Sequence, residues 1–532
     1  MTIKTDPWSR AAASAWKLLD ATTLEQDRTL ECDVAIVGSG AGGGVTAEIL
    51  AQAGLAVVIL EEGPLATSLE FRMREHEAYP RLYQESAARQ TLDKSITLLQ
   101  GRCVGGGTTV NWTTSLRTPP RTLAHWRNAH GLTGLTDEAL APWFARMEAR
   151  LAIAPWSTPP NANNDALRRG AAKLGFASGT LRRNVKGCAN LGYCGLGCPL
   201  DAKQSMLVTT IPTALQAGAM LVHHARVTSL VQEGERIVAL EAHGIGANGG
   251  TPLAPRLQVR ARHFVLAAGA IGSPALLMAS RVSDPWRLAG TRTFLHPTVV
   301  SAALMPEPVN AWAGAPQSVY VDHFLEGALD GPVGFMLEVP PVHPVLAAIT
   351  MPGYGREHAQ WMSQLARLQV TIALLRDGFH ADSPGGNVVR RRDGWPALDY
   401  SMTPYLWDGV RRAWLAMAEL QFAAGATRVM TLHEDARAAS SWREAKASVE
   451  ALTLKPLAAR ILSAHVMGGC AMGPDERHAV VNAEGRHHQL ANLSVHDGSV
   501  FPTSVGANPQ LSIHALAARW SAALATALRT PS

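Results

Sequence analysis

Six cysteines in 532 residues, unevenly spaced, are too few for a disulfide scaffold, so the fold must be held by its core. Charge is scarce as well: 17% of residues are Asp, Glu, Lys or Arg, and 48 basic against 43 acidic residues leave a formal +5. No basic run appears, which argues against nucleic acid as a partner. With 47% apolar residues, disorder over most of the length is excluded. The first residues carry neither a secretory apolar core nor a twin arginine, so a cytoplasmic location is expected, with a short surface helix over residues 11–19. The longer uncharged stretches, 204–225, 264–280 and 498–518, are each broken by proline and glycine. No membrane-spanning helix is expected from them, although peripheral contact with a membrane surface stays open. The length exceeds one ordinary domain and predicts two.

What the chain does have is concentrated in residues 32–64. An apolar run, 34–37, is followed by Gly38-x-Gly40-x-x-Gly43, an amphipathic segment to about residue 53, and a second apolar run, 57–60, ending at Glu61. A strand, glycine turn, helix and strand within about thirty residues is the setting in which this motif holds a dinucleotide. The first glycine permits the turn, the second lets backbone approach a pyrophosphate, and the third lets helix and strand pack closely. The helix N-terminus offers unpaired N–H groups to the phosphates, and Glu61 is placed to accept from an adenosine ribose. The motif does not distinguish FAD from NAD.

A second glycine-rich run, Gly101 to Trp112, carries Gly105, Gly106, Thr108 and Asn111. Small residues and many backbone donors suit a segment lying flat against a large ligand, with a structural glycine loop as the alternative. This run resembles the glycine-rich motif of the glucose–methanol–choline (GMC) family of FAD oxidoreductases. Residues 262–277 resemble the family's second signature. The stretches 465–473, 497–502 and 508–511 are similar to its C-terminal block. Four blocks in the family's order span residues 33 to about 520.

The resemblance implies an α/β chain of two domains (α+β in arrangement). A Rossmann-like FAD domain would be discontinuous over 31–120, 218–285 and 456–532. Connecting helices and a cysteine-rich loop would occupy 121–217, and a substrate domain on a six-stranded antiparallel sheet 286–455. Plausible strands of that sheet are 369–375 and 387–391, with an amphipathic helix over 405–424. It also implies FAD, held by the two glycine runs, Glu61, Val227 and Asp497, the last with a turn cap as its alternative role. In the catalytic pair, His465 would be the base and Asn508 would bond the substrate oxygen. A neutral imidazole suits the hydroxyl proton because its ordinary pKa lies near 6.5, and Asn cannot accept a proton in its place. His487 and His488 receive no role, and His496 and His514 are expected to pack.

Cys188, Cys194 and Cys198 form a Cys-x5-Cys-x3-Cys-Pro loop. It resembles the cysteine-rich loop of FAD glucose dehydrogenase catalytic subunits, which carries a three-iron (3Fe-4S) cluster, and also the corresponding segment of long-chain alcohol oxidases. A cluster, idle thiols and a zinc staple short of one ligand all stay open. The leading expectation is FAD-dependent oxidation of a hydrophobic or long-chain alcohol to aldehyde or ketone, with oxygen, a quinone or a cytochrome as acceptor. Competing with it are a cytochrome- or dye-linked sugar dehydrogenase using the cluster, and a flavin-bound isomerase or lyase without net redox chemistry.

Overall fold

The computed structural model describes residues 7–8, 16–246 and 250–530. Its first sheet grows from the short apolar runs that the sequence marks. Val34–Val37 and Val57–Leu60 have no polar face and are buried on both sides, as strands of a covered parallel sheet are. The order is Lys17–Asp20, Met220–His223, Val57–Leu60, Arg28–Val37, Pro252–Leu266, Arg236–Ile245 and Ala225–Glu233. Pairing is parallel through Pro252–Leu266 and antiparallel beyond it. Pro252–Leu266 is long enough to change neighbours. Its early part pairs with Arg236–Ile245 and its last residues with Leu493–Val495, which brings the C-terminal segment into the sheet.

The helix after the glycine turn, Ala41–Gln52, differs from the amphipathic segment expected: every residue from Gly42 to Ala51 is buried. It packs between the sheet and the helices Thr210–Gln216 and Gln510–Arg529. A helix covered on all sides needs no polar face. The surface helix expected over 11–19 lies mostly outside the described residues. Its final part instead belongs to the edge strand Lys17–Asp20.

The second sheet is mainly antiparallel and has eight strands where six were expected. Its order is Ile96–Leu98, Ile461–Ser463, Thr298–Leu304, Leu368–Leu375, Phe335–Glu338, Val319–Val321 and Ser178–Thr180, with Arg428–Thr431 also pairing with Thr298–Leu304. Three of these strands come from outside 286–455, recruited by edges that would otherwise stay unpaired. Asn387–Arg390 is a strand, but it forms a separate hairpin with Pro396–Asp399. The helix Pro404–Ala423 starts on a Thr403 cap and lies across Thr298–Leu304 and Leu368–Leu375. Period-two alternation then sorts the strand Leu368–Leu375: Ala373 and Leu375 join the core that includes this helix, while Leu368, Val370, Ile372 and Leu374 face the other way.

Glycine is required where backbone meets backbone. A Cβ on Gly42 would stand 1.4 Å from the carbonyl oxygen of His496, and one on Gly43 would stand 1.9 Å from that of Gly38. Neither neighbour is a side chain that can swing away. Gly42→Ala is therefore expected to cost more than about 4 kcal/mol and to abolish soluble flavoprotein, while Gly327→Ala, with open space around it, stays within about 0.5 kcal/mol. Thermal melting of both variants checks this; similar melting points would contradict the packing.

Candidate active site

A cavity of about 1060 Å³ lies between the two sheets. Its lining includes Gly38, Gly40, Glu61, Gly106, Thr108, Asn111, Val227, His465, Asp497 and Asn508, so the structure gathers most of the expected site from distant parts of the chain. Gly43 and Gly105 stand behind the wall. Gly43 serves helix packing, and the Gly105 N–H donates to Ser39 Oγ at 2.9 Å.

The nucleotide end is built from chain turns. Gly40 precedes the first turn of Ala41–Gln52 without a side-chain cap, leaving N–H groups at a positive helix end. A Cβ on Gly40 would meet no protein atom nearer than 3.9 Å, and one on Gly107 or Gly269 would meet nothing within 4 Å. All three glycines line the cavity. These open cradles and the cavity's size fit a dinucleotide. Glu61 has a further task that the sequence did not show. Its carboxylate accepts from Ser39 N at 3.0 Å, Ser39 Oγ at 2.6 Å and Gly63 N at 2.9 Å. Through Ser39 it ties the first glycine turn to the second, and burial pushes its pKa up against those donors.

Asp497 takes the turn-cap role that stood as its alternative. It lines the cavity and caps the turn Gly498–Val500, accepting from Ser499 N at 2.8 Å, from Ser273 Oγ at 2.5 Å and from Gly269 N at 2.9 Å. His496 and His514 are buried and bonded to Thr46 Oγ1 and the Ala41 carbonyl.

Two residues that touch the expected catalytic pair did not stand out in the sequence. Glu338, the last residue of its strand, is fully buried and lines the cavity. Its Oε2 accepts from Gln317 Nε2 at 2.5 Å and from Asn508 Nδ2 at 3.4 Å. Among the described residues, Glu338 Oε1 and Asn508 Oδ1 have no partner although both are buried. Burial raises the Glu338 pKa to about 7. The second is His296, whose Nδ1 lies 3.2 Å from Nδ1 of His465.

The proton order in that histidine pair follows from a backbone donor. Gly506 N–H donates to His296 Nε2 at 3.0 Å, so this nitrogen carries a lone pair. Burial holds the His296 pKa well below its ordinary value, so the ring is neutral and its one proton sits on Nδ1. It is therefore donated to His465 Nδ1. Burial also lowers His465 to about 4, and a neutral His465 that accepts at Nδ1 must carry its own proton on Nε2. Asp377 holds His296 in place, accepting from the backbone N–H groups of Leu295 and His296 and from Tyr400 Oη. In the resting protein Nε2 of His465 is therefore a donor.

One part of the lining is apolar, formed by Val300, Ala302, Leu368, Val370, Ile372 and Leu374 together with Leu346 and Met351, while Thr298, Gln317 and Thr350 also border the cavity. Trp361 is buried in the core behind that wall and is not part of the lining.

Family models described as GMC oxidoreductase match residues 79–298 and 388–517. The chain belongs to the GMC oxidoreductase family. It is 34% identical to an uncharacterised GMC-type oxidoreductase of Mycobacterium tuberculosis, over 91% of this chain and 74% of that one. It is 25% identical to the long-chain-alcohol oxidase FAO4A of Arabidopsis thaliana, over 92% and 68%. In fold it is similar to pyridoxine 4-oxidase from Mesorbium loti, with a TM-score of 0.65 at 17% identity over 92% of this chain and 98% of that one. This GMC oxidoreductase is accordingly an FAD enzyme acting on CH–OH donors.

The cysteine loop of this GMC oxidoreductase stands outside the cavity. Among the described residues its three thiols do not converge within reach of one metal ion, which goes against a zinc staple. Arg183 donates to Cys194 Sγ at 3.6 Å, and Asn190 N–H to Cys188 Sγ at 3.4 Å. Lys203 is buried and donates to the carbonyls of Thr109, Asn111 and Cys194 at 2.5, 3.0 and 2.7 Å. It clamps the loop to the second glycine run, and burial lowers its pKa to about 8.

The tautomer is open to direct observation. Nitrogen-15 histidine NMR on the flavoprotein is expected to show His465 protonated at Nε2 and bare at Nδ1, with this pattern lost in His296→Leu. A wild-type His465 protonated at Nδ1 would contradict the hydrogen-bond chain.

Proposed function

We propose that this GMC oxidoreductase oxidises hydrophobic, long-chain alcohols, with Glu338 taking the hydroxyl proton and His465 donating a hydrogen bond to the substrate oxygen. The observation carrying this reading is that Glu338, Asn508 and His465 border one cavity, and that Glu338 Oε1 and Asn508 Oδ1, buried just behind its surface, have no partner among the described residues. Buried polar atoms without partners are rare and mark the place of an absent one. Asn508 and Gln317 hold Oε2, so Oε1 is the free oxygen. A base with a pKa near 7 is matched to neutral pH. The His465 Nε2–H opposes charge building on the oxygen as its proton leaves.

FAD, when bound, supplies the hydride acceptor. The carbinol hydrogen thus departs with its electron pair while the hydroxyl proton goes to Glu338, leaving the carbonyl product. The apolar arm supports the substrate class. A sugar hydroxyl set against this apolar wall would lose water without gaining a partner, at roughly 1–3 kcal/mol each. The 25% identity to a long-chain-alcohol oxidase points the same way.

An iron–sulfur path from Cys188, Cys194 and Cys198 is a second reading, favoured by the N–H donors and the two cations, Arg183 and Lys203, that surround these thiols. It would add iron to the purified flavoprotein.

Anaerobic mixing of FAD-loaded enzyme with straight-chain primary alcohols is expected to bleach the flavin faster than glucose does. Glu338→Gln and His465→Ala should retain FAD but slow reduction by about 10²-fold or more. Faster bleaching by glucose would overturn the substrate class, and wild-type rates in Glu338→Gln would overturn the base.

A further inference from the structure

Asp20, His223 and His224 meet at the edge of the nucleotide sheet, outside the cavity. Lys17–Asp20 and Met220–His223 run parallel with Asp20 opposite His223, so these two side chains leave the same face. His224 follows in the chain and would, by strand alternation, point to the other face. It does not, because its φ is +53°, a left-handed conformation that residues other than glycine seldom adopt. The backbone is pinned there on both sides. His224 N–H donates to the Gly63 carbonyl at 3.0 Å, and Ile245 N–H donates to the His224 carbonyl at 2.9 Å.

The turned-back ring brings three ligand atoms together. His223 Nδ1 and His224 Nδ1 are 3.2 Å apart, His224 Nδ1 is 3.1 Å from Asp20 Oδ1, and His223 Nδ1 is 3.9 Å from Asp20 Oδ2. Protons alone serve this triangle poorly. At most one lies between the two nitrogens of neutral rings, and a proton on His224 Nδ1 is wanted by the carboxylate and by His223 at once. A metal ion accepts all three lone pairs. Zinc takes imidazole nitrogen at about 2.0–2.1 Å and carboxylate oxygen at about 2.0–2.2 Å, which in a tetrahedron sets ligand atoms about 3.3 Å apart. The His223–His224 and His224–Asp20 separations lie close to that spacing, and the one from His223 to the other Asp20 oxygen is longer. Asp20 is also pre-oriented, since Oδ1, its oxygen nearest His224, accepts from Thr22 N at 2.9 Å and Thr22 Oγ1 at 2.7 Å.

We propose that Asp20, His223 and His224 bind a divalent transition ion of the zinc type, with water completing the coordination, and that the ion clips the strand Lys17–Asp20 to the nucleotide sheet. The set of two imidazoles and one carboxylate suits such ions over magnesium or calcium. The clip sits beside the flavin domain's central carboxylate: Ala225 N–H donates to the Glu61 carbonyl, and Glu61 N–H to that of Val222.

The test uses tag-free, FAD-loaded protein stripped with a chelator and titrated with zinc. His224→Gly removes one ligand while suiting the left-handed backbone, so it should fold. Asp20→Asn keeps an oxygen for Thr22 but loses the charge. Wild type is expected to take up one more equivalent than His224→Gly, to bind it at least about tenfold tighter than Asp20→Asn, and to gain melting temperature with zinc where His224→Gly does not. Zinc held by the cysteine loop would appear equally in all three proteins and cancel. Equal uptake by wild type and His224→Gly, or a zinc-induced melting shift no larger in wild type than in the variants, overturns the site.

Discussion

Backbone lying directly on backbone around the first glycine turn is the constraint from which the site follows. Gly38 faces the Ala267 carbonyl, Gly42 faces that of His496, and Gly43 faces Gly38, each at distances no side chain could share. These contacts join segments from the beginning, middle and end of the chain. His496 precedes Asp497, so the contact at Gly42 also sets Asp497 over Gly269 and the turn that follows. The same C-terminal segment continues to Asn508, which also lines the cavity. Dinucleotide cradle and reaction centre are thus parts of one packing solution, and a methyl group at Gly42 would displace both.

Burial does the chemical tuning. It lowers His465 to about 4 and raises Glu338 to about 7, so near neutral pH the first is uncharged and the second is poised between its forms. In the proposed mechanism, two groups shifted in opposite directions divide the labour of donor and acceptor. The Gly506 N–H, acting through His296, decides which nitrogen of His465 carries the proton.

The parts of this molecule legible from sequence were those written locally. The strand–glycine–helix–strand unit at 32–64 and the four family blocks fixed the fold class, and Gly40, Gly106, Val227, His465 and Asn508 all reach one cavity. Glu338 was illegible because a single carboxylate ending a short apolar strand has no pattern. His296 was illegible because its meaning lies in a contact with His465, 169 positions away. The apolar arm reads as core, since a strand buried on both faces gives no sign that one face borders a cavity. Only the Leu368–Leu374 alternation against the helix Pro404–Ala423 separates the two faces, and that requires the neighbour. Sheet size was misjudged for a similar reason: edge strands such as Ile96–Leu98 and Ser178–Thr180 are too short to announce their partners.

The central claim is that Glu338, and not His465, receives the proton. The pH dependence of anaerobic flavin reduction by a saturating aliphatic alcohol tests it most directly. A buried carboxylate near 7 must lose its proton to act, so the rate should climb as pH rises through about 7 and level off above it. A rate already level from about pH 5 upward, with its limb near 4, would assign the proton to His465 and contradict the account.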